Sequence, residues 1–231
     1  MKRFWKHARA VAETGGWGVA LDGKPLRTPA RKPLLVPSKA LAEAIAAEWE
    51  GVAETVDPRA MQLTGLANAA IDRVAPHPEQ FAAGLAQYGE SDLACYRADT
   101  PRALIERQQK GWDKLLAWAR RRFDVDFCTT SGLVHVRQPD ATIRRLAYAV
   151  ESLDSYRLAG LSPLVTIGGS LVAALAVLEH DLSPQEAWEA VTIDERWQAE
   201  QWGPDAHAEA ALEARRKDFL AAARFLDLLD A

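Results

Sequence analysis

Cysteine is scarce in this chain. Cys95 and Cys128 are the only two in 231 residues, far apart and outside any CxxC or Cys/His cluster. That excludes a disulfide framework or a thiolate zinc site, and it fits a reducing, cytosolic type of compartment. Histidines 7, 77, 135, 180 and 207 are scattered, with no HxxxH or HxxE spacing to place two ligands on one helix face. No serine stands in a GxSxG elbow. Gly15, Gly16 and Gly18 lack the spacing of either phosphate-binding glycine loop and read as a turn and strand entry. Strong charge is missing too: a net charge of −4 gives no global field for nucleic acid or an anionic membrane.

A long uninterrupted apolar run is also absent. No charge occurs from Leu158 to Leu178, but Gly160, Pro163, Gly168 and Gly169 interrupt the segment, so it predicts a buried central helix rather than a membrane span. Gly168-Gly169-Ser170 could hold an anion at a helix start, yet with Ile167 and Leu171 beside it close helix packing is the better reading. The N-terminal Met1-Lys2-Arg3-Phe4-Trp5-Lys6-His7 is basic with no apolar stretch behind it, so no secretory signal is expected.

What is present is the composition of an ordinary globular protein, 48% hydrophobic and 26% charged. The first third reads as mixed α and β. Gly15–Leu21 and Leu34–Val36 are strand-like, and Asp22-Gly23 is a hairpin-type turn. Ser38 predicts a helix cap, followed by Leu41, Ile45, Trp49 and Val52 at helical spacing. Thr64 reads as the cap of a second helix, with Asn68 and Asp72 as a solvated polar pair on one side. Pro76-His77-Pro78 marks a boundary between residues 1–77, a small α/β domain, and residues 78–231, predicted all-helical apart from a short hairpin near 125–136 that turns at Ser131-Gly132. Ser183-Pro184-Gln185-Glu186 carries a capping box, Gly203 ends the next helix, and Asp205 can cap the last.

The most informative stretch runs from Asp194 to Asp205, DERWQAEQWGPD. From Glu179 to Glu213 there are ten acidic residues against Arg196 alone, a segment charge of −9 that leaves +5 for the rest. Aromatic anchors in a surface of one charge sign suit protein recognition. Catalysis asks for convergent groups, and the adjacent Asp194 and Glu195 point about 100° apart on a helix. Trp197 and Trp202, five apart, cannot face one way, so one should be buried and the other exposed beside Glu195 and Glu200. Two rival readings follow from the same residues. One is a small cleft hydrolase using Asp72, Asp194 or His207; the other is a nucleic-acid binder working through Arg120–Arg122, which lacks the broader stripe that role needs.

Several ordered blocks resemble one family. They are Arg3-Phe4-Trp5-Lys6, the run 21–29 (LDGKPLRTP), the run 41–49 (LAEAIAAEW), the run 66–72 (LANAAID), the run 92–98 (DLACYRA), the run 112–116 (WDKLL) and the 194–205 stretch. Together they are similar to the assembly chaperones for the alpha subunit of the F-type ATP synthase catalytic head, the ATP-twelve family. Departures are Gln62 and Lys114, each where the pattern has proline, and His207 where it has an acid. The resemblance implies a small α/β N-terminal domain with a larger helical C-terminal domain, no enzymatic activity, no cofactor and no metal. It implies a client, the alpha subunit, held until the beta subunit replaces the chaperone. It puts client binding at Glu195 first, with Asp194, Trp197, Trp202 and Asp205 beside it, and the acidic aromatic patch adds Glu200. A monomer in the bacterial cytoplasm is expected, or the mitochondrial matrix for a processed eukaryotic form, with no nucleic-acid partner and no membrane insertion.

Overall fold

The computed structural model describes residues 2–132, 134–203 and 205–231. It is an α+β protein that divides into two compact units. The first comprises Met1–Pro78, Asp154–Gly160 and Arg224–Ala231; the second comprises Glu79–Leu153 and Leu161–Ala223.

The first unit is built on a small antiparallel sheet. β1 (Ala8–Glu13) pairs with β2 (Gly16–Leu21), and β2 also pairs with β3 (Lys24–Pro25) and β4 (Leu35–Val36). The Asp22-Gly23 turn between β2 and β3 takes positive φ at both residues, +47° and +81°, as expected of an Asp-Gly hairpin. Asp22 also holds the chain entering β1, its carboxylate accepting the Lys6 and His7 N–H groups, both at 2.9 Å. These bonds hold its pKa below the ordinary value. β1 is a strand that its sequence, ARAVAE, does not announce.

Helix α1 (Lys39–Glu50) starts where Ser38 accepts the Leu41 N–H, and it buries Leu41, Ile45 and Trp49 against the sheet. Trp5 meets Trp49 with ring centroids 5.1 Å apart and planes tilted by 59°. Arg3 fixes this corner by donating to the carbonyls of Trp5, Lys6, Glu50 and Val52. Helix α2 (Gln62–Ala69) continues into a π turn over Ala70–Val74. Its cap differs from the expected one. Thr64 lies inside the first turn, and the carboxylate of Glu48 accepts the N–H groups of Leu63 and Thr64 and the Thr64 hydroxyl at 2.7–2.8 Å. A charged acceptor from α1 outcompetes a local hydroxyl for the free helix donors. Asp72 is likewise structural, accepting from Thr28 Oγ1 at 2.8 Å and from the Ala30 N–H at 3.0 Å.

The second unit contains helices α3 (Pro78–Ala86, from Glu79 onward), α4 (Arg102–Phe123) and α5 (Asp140–Glu151). α6 (Ser155–Gly168) contributes its residues from Leu161 onward. α7 (Leu171–Leu178), α8 (Pro184–Val191) and α9 (Ile193–Trp202) follow, then α10 (Ala206–Leu229) up to Ala223. The apolar segment expected as one central helix is two, α6 and α7, because Gly169 adopts φ +67° and Ser170 starts a new helix. Gly168 lies where a Cβ would come within 3.3 Å of Val191, so close packing does explain it.

The anion at that helix start belongs to the protein itself. Buried Asp92 accepts the Ser170 hydroxyl at 2.8 Å, the Val172 N–H at 2.9 Å and the Ala94 N–H at 3.0 Å. Desolvation raises its pKa above the ordinary range against those bonds. α7 is buried from Leu171 to Val177 and packs against α4 and α8. Trp112 of α4 donates to the Ala190 carbonyl at 2.7 Å, and Trp188 meets Phe219 with centroids 5.5 Å apart.

In place of a hairpin within 125–136, Thr130–Ser131 (β6) pairs in parallel with Tyr96–Arg97 (β5). Leu133, in the expected returning strand, lies outside the described residues. Buried Gln138 bonds both the N–H and the carbonyl of Cys128, which occupies the backbone groups a local hairpin would need. Cys95 is buried, and desolvation pushes its thiol up to about 12, so it packs as an apolar side chain.

Candidate functional site

Helix α9 carries five of the six residues singled out by the sequence. It is seated at one end only. Ile193 is its single buried residue, and it fits against Gly111 of α4, where a Cβ would stand 2.6 Å from Ile193 Cδ1. The capping box of α8 is present, with Ser183 and Glu186 bonded reciprocally, and it fixes the approach to this corner.

From that anchor the two adjacent carboxylates diverge. Asp194 Oδ1 accepts from Gln108 Nε2 at 2.7 Å, and buried Gln108 in turn accepts the Ala98 N–H at 2.8 Å. Glu195 turns toward α10 and meets Arg215 Nη2 at 3.1 Å. One acid is thus tied to α4 and the other to α10, which rules out joint acid–base work on one bond.

The aromatic pair divides, but neither ring is buried as one was expected to be. Trp197 is half-buried, with the Arg107 guanidinium 4.9 Å from its ring centroid. Arg107 also bonds Glu200 at 2.8 Å, and this contact lowers the carboxyl's pKa. Trp202, at the end of α9, is 81% exposed, the largest exposure among the described large hydrophobic side chains. Gly203 follows with φ +86°, and the exposed Asp205 accepts the N–H groups of His207 and Ala208 at the start of α10.

The segment charge of −9 does not fold into an open acidic field. Arginines from elsewhere in the chain sit opposite its carboxylates, Arg122 on Glu179, Arg107 on Glu200 and Arg215 on Glu195, and Arg216 meets Glu213 one turn before it on α10. Asp181 accepts from Trp118 Nε1 at 2.8 Å. The surface around α9 is therefore a mixed polar rim with one large aromatic projecting from it. Arg107, Gln108 and Arg215 were missed at the level of sequence, since nothing in their local pattern distinguishes them from other solvated helix positions.

The residues of the rival readings are otherwise engaged. Asp72 bridges Thr28 and Ala30, Asp194 is held by Gln108, and His207 is an exposed first-turn residue of α10. Arg120 and Arg122 of the basic run face Asp126 and Glu179. Among the described residues, no three His, Cys, Asp or Glu side chains gather as a metal site, and no helix is long and apolar enough to cross a membrane.

Comparison with known proteins gives a consistent picture. Residues 2–120 match the profile of a family described as ATP12 chaperone protein. The mitochondrial protein atp12 of Schizosaccharomyces pombe is 26% identical over 220 residues, spanning 89% of this chain and 76% of its own length. The crystal structure of Atp12 from Paracoccus denitrificans is 43% identical, with a TM-score of 0.94 over 99% of this chain and 98% of that one. The Atu1473 protein of Agrobacterium tumefaciens is 39% identical, with a TM-score of 0.94 over 99% and 86%. The family profile stops short of α9, whereas the solved structures extend over it. The matching family is described as a chaperone one, and on the family match and the structural likeness together the chain belongs to the ATP12 chaperone family.

Proposed function

We propose that this chaperone captures the unassembled alpha subunit of the F-type ATP synthase catalytic head and covers its subunit interface until the beta subunit takes its place. The docking surface is the outer side of α9 with the residues that follow it: Glu195, Asp194, Trp197, Glu200, Trp202 and Asp205. The observation that carries this reading is Trp202, whose ring stands 81% exposed beside a polar rim. A large aromatic left in water costs solubility unless a partner covers it, and aromatic anchors ringed by polar groups are the usual energetic centre of an interface. The rim sets orientation and excludes wrong partners more than it adds affinity. Displacement by the beta subunit requires that the hold be reversible and the surface small, and a single projecting helix end meets both conditions.

The working form is a monomer acting in the bacterial cytoplasm, with the mitochondrial matrix as the equivalent place in eukaryotes. The name of the fission-yeast relative and the bacterial sources of the two structures support that placement. The test is light scattering by purified alpha subunit on dilution from denaturant, with and without chaperone. Glu195→Lys sets a second cation against Arg215, and Trp202→Ala removes the anchor. Both variants should keep the parent's circular dichroism and lose most of the protection. Full protection by both would remove α9 from the docking surface.

A further inference from the structure

β1 is an edge strand: it pairs with β2, and no described strand lies on its other side. Three hydrogen bonds fix which of its backbone groups are free. Asp22 N–H donates to the His7 carbonyl at 3.0 Å, and Leu26 N–H donates to the Val19 carbonyl at 2.7 Å. On an antiparallel ladder these assign Arg9, Val11 and Glu13 to bonds with β2 and turn the N–H and C=O groups of Ala8, Ala10 and Ala12 outward. The Ala8 N–H confirms it, donating away from the sheet to Glu50 Oε2 at 2.6 Å. Ala10 and Ala12 thus present two donors and two acceptors along an edge that carries no proline or lysine to block pairing.

The side chains on this edge are self-complementary. If two copies of β1 lie antiparallel with Val11 opposite Val11, the outward groups of Ala10 in one copy meet those of Ala12 in the other. Four hydrogen bonds then close. The same register sets Arg9 opposite Glu13 at both ends, on the sheet face away from α1. Shifting the register by one pair in either direction loses both ion pairs and brings in either Ala8, whose N–H is already taken by Glu50, or Thr14, beyond the end of the strand. Along the groove beside this edge, α1 and its C-cap offer the small residues Ala46, Ala47 and Gly51. Its carboxylates there are already engaged, Glu43 with Lys39 at 3.2 Å and Glu50 with His7 and the Ala8 N–H. Val11 at the centre is 38% exposed, and Arg9 and Glu13 are exposed.

We propose that β1 is a self-association edge, on which a second copy of this chain pairs in the Val11-centred antiparallel register. A six-residue edge is far smaller than a stable dimer interface. The pair therefore forms in a concentration-dependent equilibrium with the working monomer and hides an otherwise sticky edge when the protein is abundant.

Sedimentation velocity up to about millimolar protein, a range set by so small an interface, reads the equilibrium. Arg9→Glu sets like charges opposite each other at both ends and should abolish the dimer. The double variant Arg9→Glu with Glu13→Arg should restore it. Ala12→Pro removes an outward donor at a position where an edge strand tolerates proline, and it too should leave monomer. Val11→Cys faces its counterpart in a closely spaced non-hydrogen-bonded pair, so mild oxidation should trap a disulfide dimer even when association is weak, while the parent, which retains Cys128, should not be trapped. A parent that stays monomeric without Val11→Cys cross-linking overturns the proposal, as does a dimer indifferent to Arg9→Glu and Ala12→Pro. An edge that ignores its own copy and captures an extended client segment instead also overturns it.

Discussion

Helices α7 and α9 belong to the same unit and are built by opposite rules. α7 is apolar all round, buried from Leu171 to Val177, and its N-terminal donors are satisfied internally by Ser170 and Asp92. α9 buries Ile193 alone, has no side-chain cap, and is steadied along its flanks by Gln108, Arg107 and Arg215. One helix derives its stability from burial; the other is carried by its neighbours and contributes little to the core. A residue that folding does not require is free to serve binding, and Trp202 is such a residue. The blocks that carry the family resemblance divide the same way. Arg3 clamps carbonyls, Asp22 and Asp92 hold backbone donors, Trp49 and Trp112 are core, whereas the described residues of the 194–205 block are mostly at the surface.

The sharpest way to break this contrast is a pair of tryptophans. Trp188 is buried against Phe219, and Trp188→Ala should cost about 3–5 kcal/mol of stability by denaturant unfolding. Trp202→Ala should stay within about 0.5 kcal/mol of the parent and lose client protection. Similar losses of stability in both would mean that α9 belongs to the cooperative core.

Asp92 gives the next largest effect. Asp92→Ala leaves the Ser170 hydroxyl and the Val172 N–H of α7 without their acceptor, at a cost of roughly 3 kcal/mol, read from the same unfolding curves. Asp92→Asn tests the electrostatics. Burial raises the folded-state pKa above the ordinary 3.8, so the folded protein binds this proton more tightly than the unfolded chain does. The contribution of Asp92 is then largest below pH 3.8 and declines as pH rises through the folded value. The stability gap between parent and Asp92→Asn should therefore shrink as pH rises from about 4. A gap that widens would mean that the bonds to Val172, Ala94 and Ser170 outweigh desolvation.

Local signals in the sequence were reliable where a few neighbouring residues decide the outcome. The Ser38 cap, the Asp22-Gly23 turn, the Ser183–Glu186 box and the Gly203 stop all rest on contacts within four residues. Features set by distant residues were not legible. Glu48 displaces Thr64 as the cap of α2, Asp92 supplies the anion that Gly168-Gly169-Ser170 only hinted at, and β1 reads as a small-residue stretch until β2 lies beside it. The candidate site shows the same limit. The exposure of one tryptophan followed from helical spacing, but counting charges along the segment suggested a bare acidic field. Arg107 of α4 and Arg215 of α10 are close to it only in the fold.

Arg107 therefore offers the finest test of the contrast. Its guanidinium covers Trp197 and bonds Glu200, both groups open to solvent on one side, so the contact shapes the rim without carrying the fold. In Arg107→Ala the Glu200 carboxyl loses the hydrogen bond that lowers its pKa, and it should titrate higher, back toward the ordinary glutamate range, when followed by carbon-detected NMR. In the parent this linkage favours the folded state above that range and fades as the solution is acidified through the lowered folded value. The variant should lose that acid-side dependence while its melting temperature near neutral pH stays close to the parent's. If removing one rim arginine lowered the melting temperature as far as Asp92→Ala does, the side-chain contacts around α9 would have to be counted with the core, and the separation of a folding helix from a binding helix would fail.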